Sequence, residues 1–137
     1  MFIDASAIVA ILKPEPDADS LIDALEAHGG PFYVSPLVRF EASISLARAK
    51  SVARPTAMIL AQAREAVTCF IDDIGAVEIP ISPMIGAAAL DAATAYGKTV
   101  GHPADLNFGD CFAYACAKTG GLRLLYKGQD FAQTDLA

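Results

Sequence analysis

Four acidic residues stand where the chain passes from one element to the next: Asp4, Glu41, Asp110 and Asp130. Asp4 closes the apolar opening Phe2-Ile3, and Glu41 comes two helical turns after Ser35-Pro36. Asp110 follows Asn107 by three residues, and Asp130 comes after a Lys127-Gly128 turn. Carboxylates gathered in one cleft repel and raise one another's pKa unless a cation joins them. The natural resolution is a hard divalent ion. Mg2+ or Mn2+ prefers oxygen, and Mg2+ binds through one or two carboxylates while keeping several waters and a substrate phosphate. Such an ion activates water and neutralises charge on a phosphodiester. The other reactive side chains point nowhere else. His28 and His102 are far apart, and Cys69, Cys111 and Cys116 form no C-x-x-C pair, which argues against a Cys-type zinc site and a disulfide frame.

Each acid also has an ordinary explanation. Asp4 and Ser6 are common helix-capping residues, and Asn107 with Asp110 reads as a helix start whose dipole stabilises the carboxylate. Asp130, two residues after Gly128, suits a turn, and Asp135 competes with it for any role near the site. Glu41 is harder to explain away. Its helical neighbours Leu37, Val38 and Ile44 place the carboxylate on an apolar stripe, where it needs a cation, a hydrogen bond or a raised pKa. The signal lies in the joint placement of the four.

The elements that must position these groups alternate along the chain. Short apolar runs at 2–4, 32–34, 77–79 and 122–126 read as strands. Between them, helices are expected over 5–12, from Asp17 or Asp19 to the Gly29-Gly30 stop, over 36–50, 55–71, 83–96, and from Asn107 to about Lys118. Ser35-Pro36 and Ser82-Pro83 are cap-plus-proline starts. The order β-α-α-β-α-α-β-α-α-β predicts an α/β sandwich, α/β/α in layers, with a mainly parallel sheet. Ligands of such sheets bind beyond the carboxyl ends of the strands.

The 137 residues predict one domain, 1–137, with 54% apolar and 19% charged residues excluding a disordered chain. No apolar run is long enough to span a membrane. The start lacks the basic region of a secretory leader, and the unpaired cysteines suit a reducing, cytoplasmic setting. The net charge of −6 argues against nucleic-acid binding through bulk charge, though not against a local basic rim. Gly97-Lys98-Thr99 fails as a P-loop, because position 92 is alanine and the tripeptide ends a helix. A phospho-acceptor receiver domain would need paired acids after its first strand, where Asp4 stands alone. A purely structural binding module would leave Glu41 on its apolar stripe without explanation.

At these residues the chain resembles the PIN-domain ribonucleases, specifically VapC-type toxins, over essentially its whole length. The segments carrying the likeness are Phe2-Ile3-Asp4-Ala5-Ser6-Ala7, Ser35 to Ala42 around Glu41, Leu106 to Ala115 around Asp110 and Leu124 to Phe131 with Thr134-Asp135 after it. The resemblance implies a PIN-like fold and a Mg2+-dependent endoribonuclease, with Mn2+ able to substitute, that inhibits translation and leaves a 5′-phosphate and a 3′-hydroxyl. It implies Asp4 and Asp110 as metal ligands, Glu41 and Asp130 completing the acidic pocket, and Ser6 and Asn107 as supporting polar groups. Asp130 is preferred over Asp135 as the fourth acid. A homodimer and a cognate VapB-type antitoxin whose tail occludes the site are implied as well. Lys13, Arg39, Arg48, Lys50 and Lys127 lie in or near the flanking segments, where some could line a phosphate path.

Overall fold

The computed structural model describes residues 1–137. Four short parallel strands, β1 (Phe2–Ile3), β2 (Tyr33–Val34), β3 (Val77–Glu78) and β4 (Leu124–Leu125), form one sheet in the order β3-β2-β1-β4. Phe2 is in register with Tyr33 on one side and Leu124 on the other. Six helices surround the sheet: α1 (Ala5–Leu12), α2 (Ala18–His28), α3 (Pro36–Ala49), α4 (Ala57–Asp73), α5 (Pro83–Tyr96) and α6 (Phe108–Gly120). Two short 3-10 turns, Lys98–Val100 and Asp130–Gln133, complete the fold. The result is the three-layer α/β/α arrangement that the alternating pattern predicts. No helix is long and apolar enough to cross a membrane.

The helix boundaries follow local chemistry. Ser35 accepts a bond from the Val38 amide and Ser82 from the Ile85 amide, both at 3.2 Å, with proline at the first helical position. Gly29 ends α2 at φ 67°, a left-handed backbone that glycine adopts without steric cost. The last strand is shorter than the expected 122–126. Gly121, at φ 60°, closes α6, and the Leu122 amide is spent on the Ala117 carbonyl at 2.9 Å. Sheet pairing therefore begins only with the Arg123 carbonyl, which accepts from the Phe2 amide at 2.7 Å.

Phe2, Ile3, Ile8, Val34, Leu46, Val67, Ile71 and Phe131 are sealed in the core between the layers. Sheet order is what makes a site. The chain leaves β1 for β2 and β3 on one side, and returns to β4 on the other. The crevice beyond the end of β1 is thus the topological switch point, where ligands of open parallel sheets bind.

Candidate active site

Asp4 occupies that switch point. It is the N-cap of α1, with Oδ2 accepting from the Ser6 amide at 2.9 Å and from Ser6 Oγ at 2.5 Å. Ser6 Oγ in turn accepts from the Lys127 amide at 3.0 Å. One hydroxyl therefore ties the carboxyl end of β1 to the turn after β4. The capping explanation of Asp4 and its place among the acids hold together: the bonds that start the helix also fix the carboxylate.

Asp110 is held in the same manner. Asn107 Oδ1 accepts from the Asp110 amide at 3.1 Å, while Asp110 Oδ2 accepts from the Asn107 amide at 2.8 Å. This reciprocal capping box starts α6 and fixes the rotamer of Asp110, which is 8% exposed. Glu41 reaches the same crevice from α3 and is half-buried. Burial raises its pKa to about 7, helped by the charges of Asp4 and Asp110. Burial likewise lifts Asp110 to about 6, with Asp4 and Asp130 adding to the effect against the opposing bond from Asn107. Asp4, itself buried, is raised too, by desolvation first and against its bonds to Ser6, with a push from Asp130. The three inner carboxylates are thus close enough to disturb one another. That is the electrostatic signature of a site short of positive charge.

Asp130 stands at the exposed rim, in the 3-10 turn anchored by buried Phe131, whose ring meets Tyr126 at 5.0 Å. Its charge acts on Asp4 and Asp110. Asp135 is engaged elsewhere. It accepts from Tyr114 Oη at 2.6 Å and Lys118 Nζ at 2.5 Å, which holds its carboxyl below the usual range and fastens the C-terminal segment to α6.

The basic residues expected along the rim are mostly committed. Lys127 pairs with Glu15 and lies 4.0 Å from Asp17; Lys13 is also 4.0 Å from Glu15. Arg39 donates to Glu78 at 2.7 Å and Thr68 at 3.2 Å, tying α3 to β3 and α4. Arg48 and Lys50 make no ion pair.

Gly109 is a participant that sequence reasoning passed over as part of a motif. A Cβ at this position would lie 2.8 Å from Glu41 Cδ and Oε1, and closer still to Oε2. The missing side chain is what admits the Glu41 carboxylate to the start of α6, beside Asp110. A glycine between a helix cap and an acid is the sequence signal, but only the packing gives it meaning.

The donor set suits a hard divalent cation. The converging groups are all carboxylate oxygens, with no imidazole or thiolate among them, and burial, with neighbouring carboxylates adding to it, raises the pKa of all three. No three His, Cys, Asp or Glu side chains close around a single point. An ion held here would therefore use one or two carboxylates and retain water, as Mg2+ does.

Comparison with known proteins bears on the same residues. Residues 1–136 match the PIN domain family. A VapC ribonuclease of Rhizobium meliloti is 50% identical, the match covering 98% of each chain. Ribonuclease VapC30 of Mycobacterium tuberculosis is 36% identical over 100% of this chain and 96% of its own length. Ribonuclease VapC28 of the same organism is 34% identical over 98% and 93%. Together with the parallel sheet and the acidic crevice at its switch point, these matches place the chain in the PIN-domain family, among relatives named VapC ribonucleases.

Proposed function

We propose that this chain is a Mg2+-dependent endoribonuclease, one catalytic domain over residues 1–137, that acts as the toxin of a toxin–antitoxin pair. The observation that carries the reading is the convergence of Asp4, Glu41 and Asp110 at the switch point, each with a pKa raised by burial first and by a neighbouring carboxylate after it, in a chain whose full-length relatives are named ribonucleases. Asp4 and Asp110 are the metal ligands in this reading, each held by backbone amides through Oδ2. Mn2+ serves in place of Mg2+. When bound, the ion supplies charge neutralisation at the scissile phosphodiester and acidifies water.

The chain's own groups divide the remaining work. Ser6 and Asn107 lock the two aspartates in place, so that they need no reorganisation as substrate arrives. Glu41, raised to about 7 in the ion-free chain by burial first and by Asp4 and Asp110 second, is drawn towards its ionised form when a cation joins the pocket, which leaves a carboxylate able to accept a proton near neutral pH. Asp130 completes the acidic rim and orients groups that enter from solvent. The products are a 5′-phosphate and a 3′-hydroxyl. RNA cleavage inhibits translation, and a VapB-type antitoxin neutralises the toxin by occluding the acidic crevice, an arginine pairing with its carboxylates. The active form is a cytoplasmic homodimer.

The test is cleavage of total cellular RNA by antitoxin-free protein in Mg2+, in Mn2+ and in EDTA. Discrete fragments that disappear in EDTA support the reading. Cleavage that persists in EDTA, or an absence of cleavage together with no Mg2+ or Mn2+ binding by calorimetry, contradicts it.

A further inference from the structure

In a chain of net charge −6, residues 42–64 carry four cations (Arg48, Lys50, Arg54 and Arg64) and no carboxylate. The stretch covers the second half of α3, the connection and the first half of α4. None of the four has a carboxylate within 4.0 Å, whereas Lys13, Arg39, Lys98, Lys118 and Lys127 all do. Four of the five unpaired cations, Arg123 being the fifth, therefore fall on this one stretch, and Arg48 lies on the α3 face that carries Glu41.

A groove of about 470 Å³ joins the two regions, running between α3 and the start of α6. Glu41, Ser45 and Arg48 line it, at the i, i+4, i+7 spacing that puts them on one helix face. Arg48 stands about 10 Å along the helix from Glu41, at roughly 1.5 Å per residue. Phe40 and Phe108 also line the groove and are 67% and 71% exposed. Each phenyl ring left in water forgoes the burial that an aromatic side chain gains against an apolar surface. Aromatic faces next to an unpaired guanidinium are what a single-stranded nucleic acid uses: rings for its bases, cations for its phosphates.

Building on the nuclease reading, we propose that this groove is a nucleotide subsite of the same centre. Arg48 contacts a phosphate neighbouring the scissile one, Phe40 and Phe108 stack a base, and the strand runs on over the cationic stretch. Charge complementarity favours RNA over an apolar protein segment here, which would leave Arg48 unpaired.

The experiment measures affinity for a fluorescein-labelled single-stranded RNA by anisotropy, across a salt series in Mg2+. A Glu41→Gln parent is used, because it keeps Asp4 and Asp110 while losing the proton-handling group. Arg48→Gln lowers the slope of log affinity against log salt by about 0.7, one phosphate contact on a single strand. Phe108→Ala weakens binding by about 5- to 100-fold, the value of one stacked base, with the slope unchanged. Arg123→Gln is the control: an unpaired cation before β4, at the end of the sheet opposite Asp4, whose loss alters neither quantity. All three side chains lie outside the core, and thermal unfolding checks the fold of each variant. If Arg48→Gln and Phe108→Ala bind as the parent does, the subsite is overturned, the groove is left to a protein segment, and the nuclease reading stands. A parent that binds no RNA in Mg2+ overturns the nuclease reading and the subsite together.

Discussion

Replacing Gly109 by alanine should separate activity from stability. The new Cβ would sit 2.8 Å from Glu41 Cδ, against an optimal carbon–carbon separation of about 3.5–4.0 Å. The carboxylate must therefore retreat by about 1 Å. Because it is the end of a flexible side chain, it can do so by rotating, at roughly 0.5–1.5 kcal/mol if it leaves its rotamer. Gly→Ala in a helix returns about 0.5–1 kcal/mol, so the folded state should change by no more than about 1 kcal/mol. Catalysis is less forgiving, since a misplacement of about 1 Å costs on the order of 100-fold. The expected result is a protein that unfolds within a few degrees of wild type yet cleaves RNA about 100-fold more slowly. The Glu41 pKa should also fall from about 7 as the carboxylate leaves its buried seat and moves away from Asp4 and Asp110, which carboxyl NMR titration reads directly. In a Glu41→Gln background, Gly109→Ala should cost little more, because both changes act through one group. A Gly109→Ala variant that folds and cleaves at the wild-type rate would refute the account of how Glu41 is placed.

Other outcomes follow from the same geometry. Glu41, Asp110 and Asp4 have raised pKa values in the folded, ion-free chain, so the native state holds extra protons between about pH 4 and pH 7. The stability they contribute is complete below the ordinary carboxylate pKa and is lost as pH rises through about 6 to 7, on the order of a few kcal/mol in all. Glu15 and Asp135 have lowered values, and their contribution is lost only as pH falls below the ordinary range. The melting temperature in EDTA should therefore drop from pH 5 to pH 8; a flat profile would contradict the raised carboxyl pKa values. Mg2+ should reverse the drop above pH 7, by about 2.7 kcal/mol at a concentration 100 times its Kd, as calorimetry would show. Asp110→Asn removes a repelling charge and keeps an oxygen for the Asn107 amide. It should leave ion-free stability at pH 8 equal or higher while losing cleavage by at least about 100-fold, with unfolding and cleavage measured side by side.

The sequence carries the fold well because its punctuation is chemical. Serine–proline starts, the Gly29 stop and the Asn107/Asp110 pair mark helix boundaries through bonds between near neighbours. Strand order does not appear in such signals: that β1 lies between β2 and β4 depends on long-range pairing. Acid placement was legible for Asp4, Glu41 and Asp110, since each follows from its position on an element. Between Asp130 and Asp135, which both follow β4 by a few residues, position alone favours neither; the preference for Asp130 comes from the resemblance, and the bonds of Asp135 to Tyr114 and Lys118, far back on α6, are invisible in the sequence. The partners of Lys127 and Arg39 were hidden for the same reason, as Glu15 and Glu78 are remote in sequence.

The most direct test of the acidic centre is one RNA-cleavage assay in Mg2+ comparing Asp4→Asn, Glu41→Gln, Asp110→Asn, Asp130→Asn and Asp135→Asn with wild type. The first four should lose activity, Asp4→Asn and Asp110→Asn most severely, while Asp135→Asn should cleave within about twofold of wild type and at most melt earlier. If Asp110→Asn retains full cleavage, or Asp135→Asn loses it while still folded, the centre has been put in the wrong place.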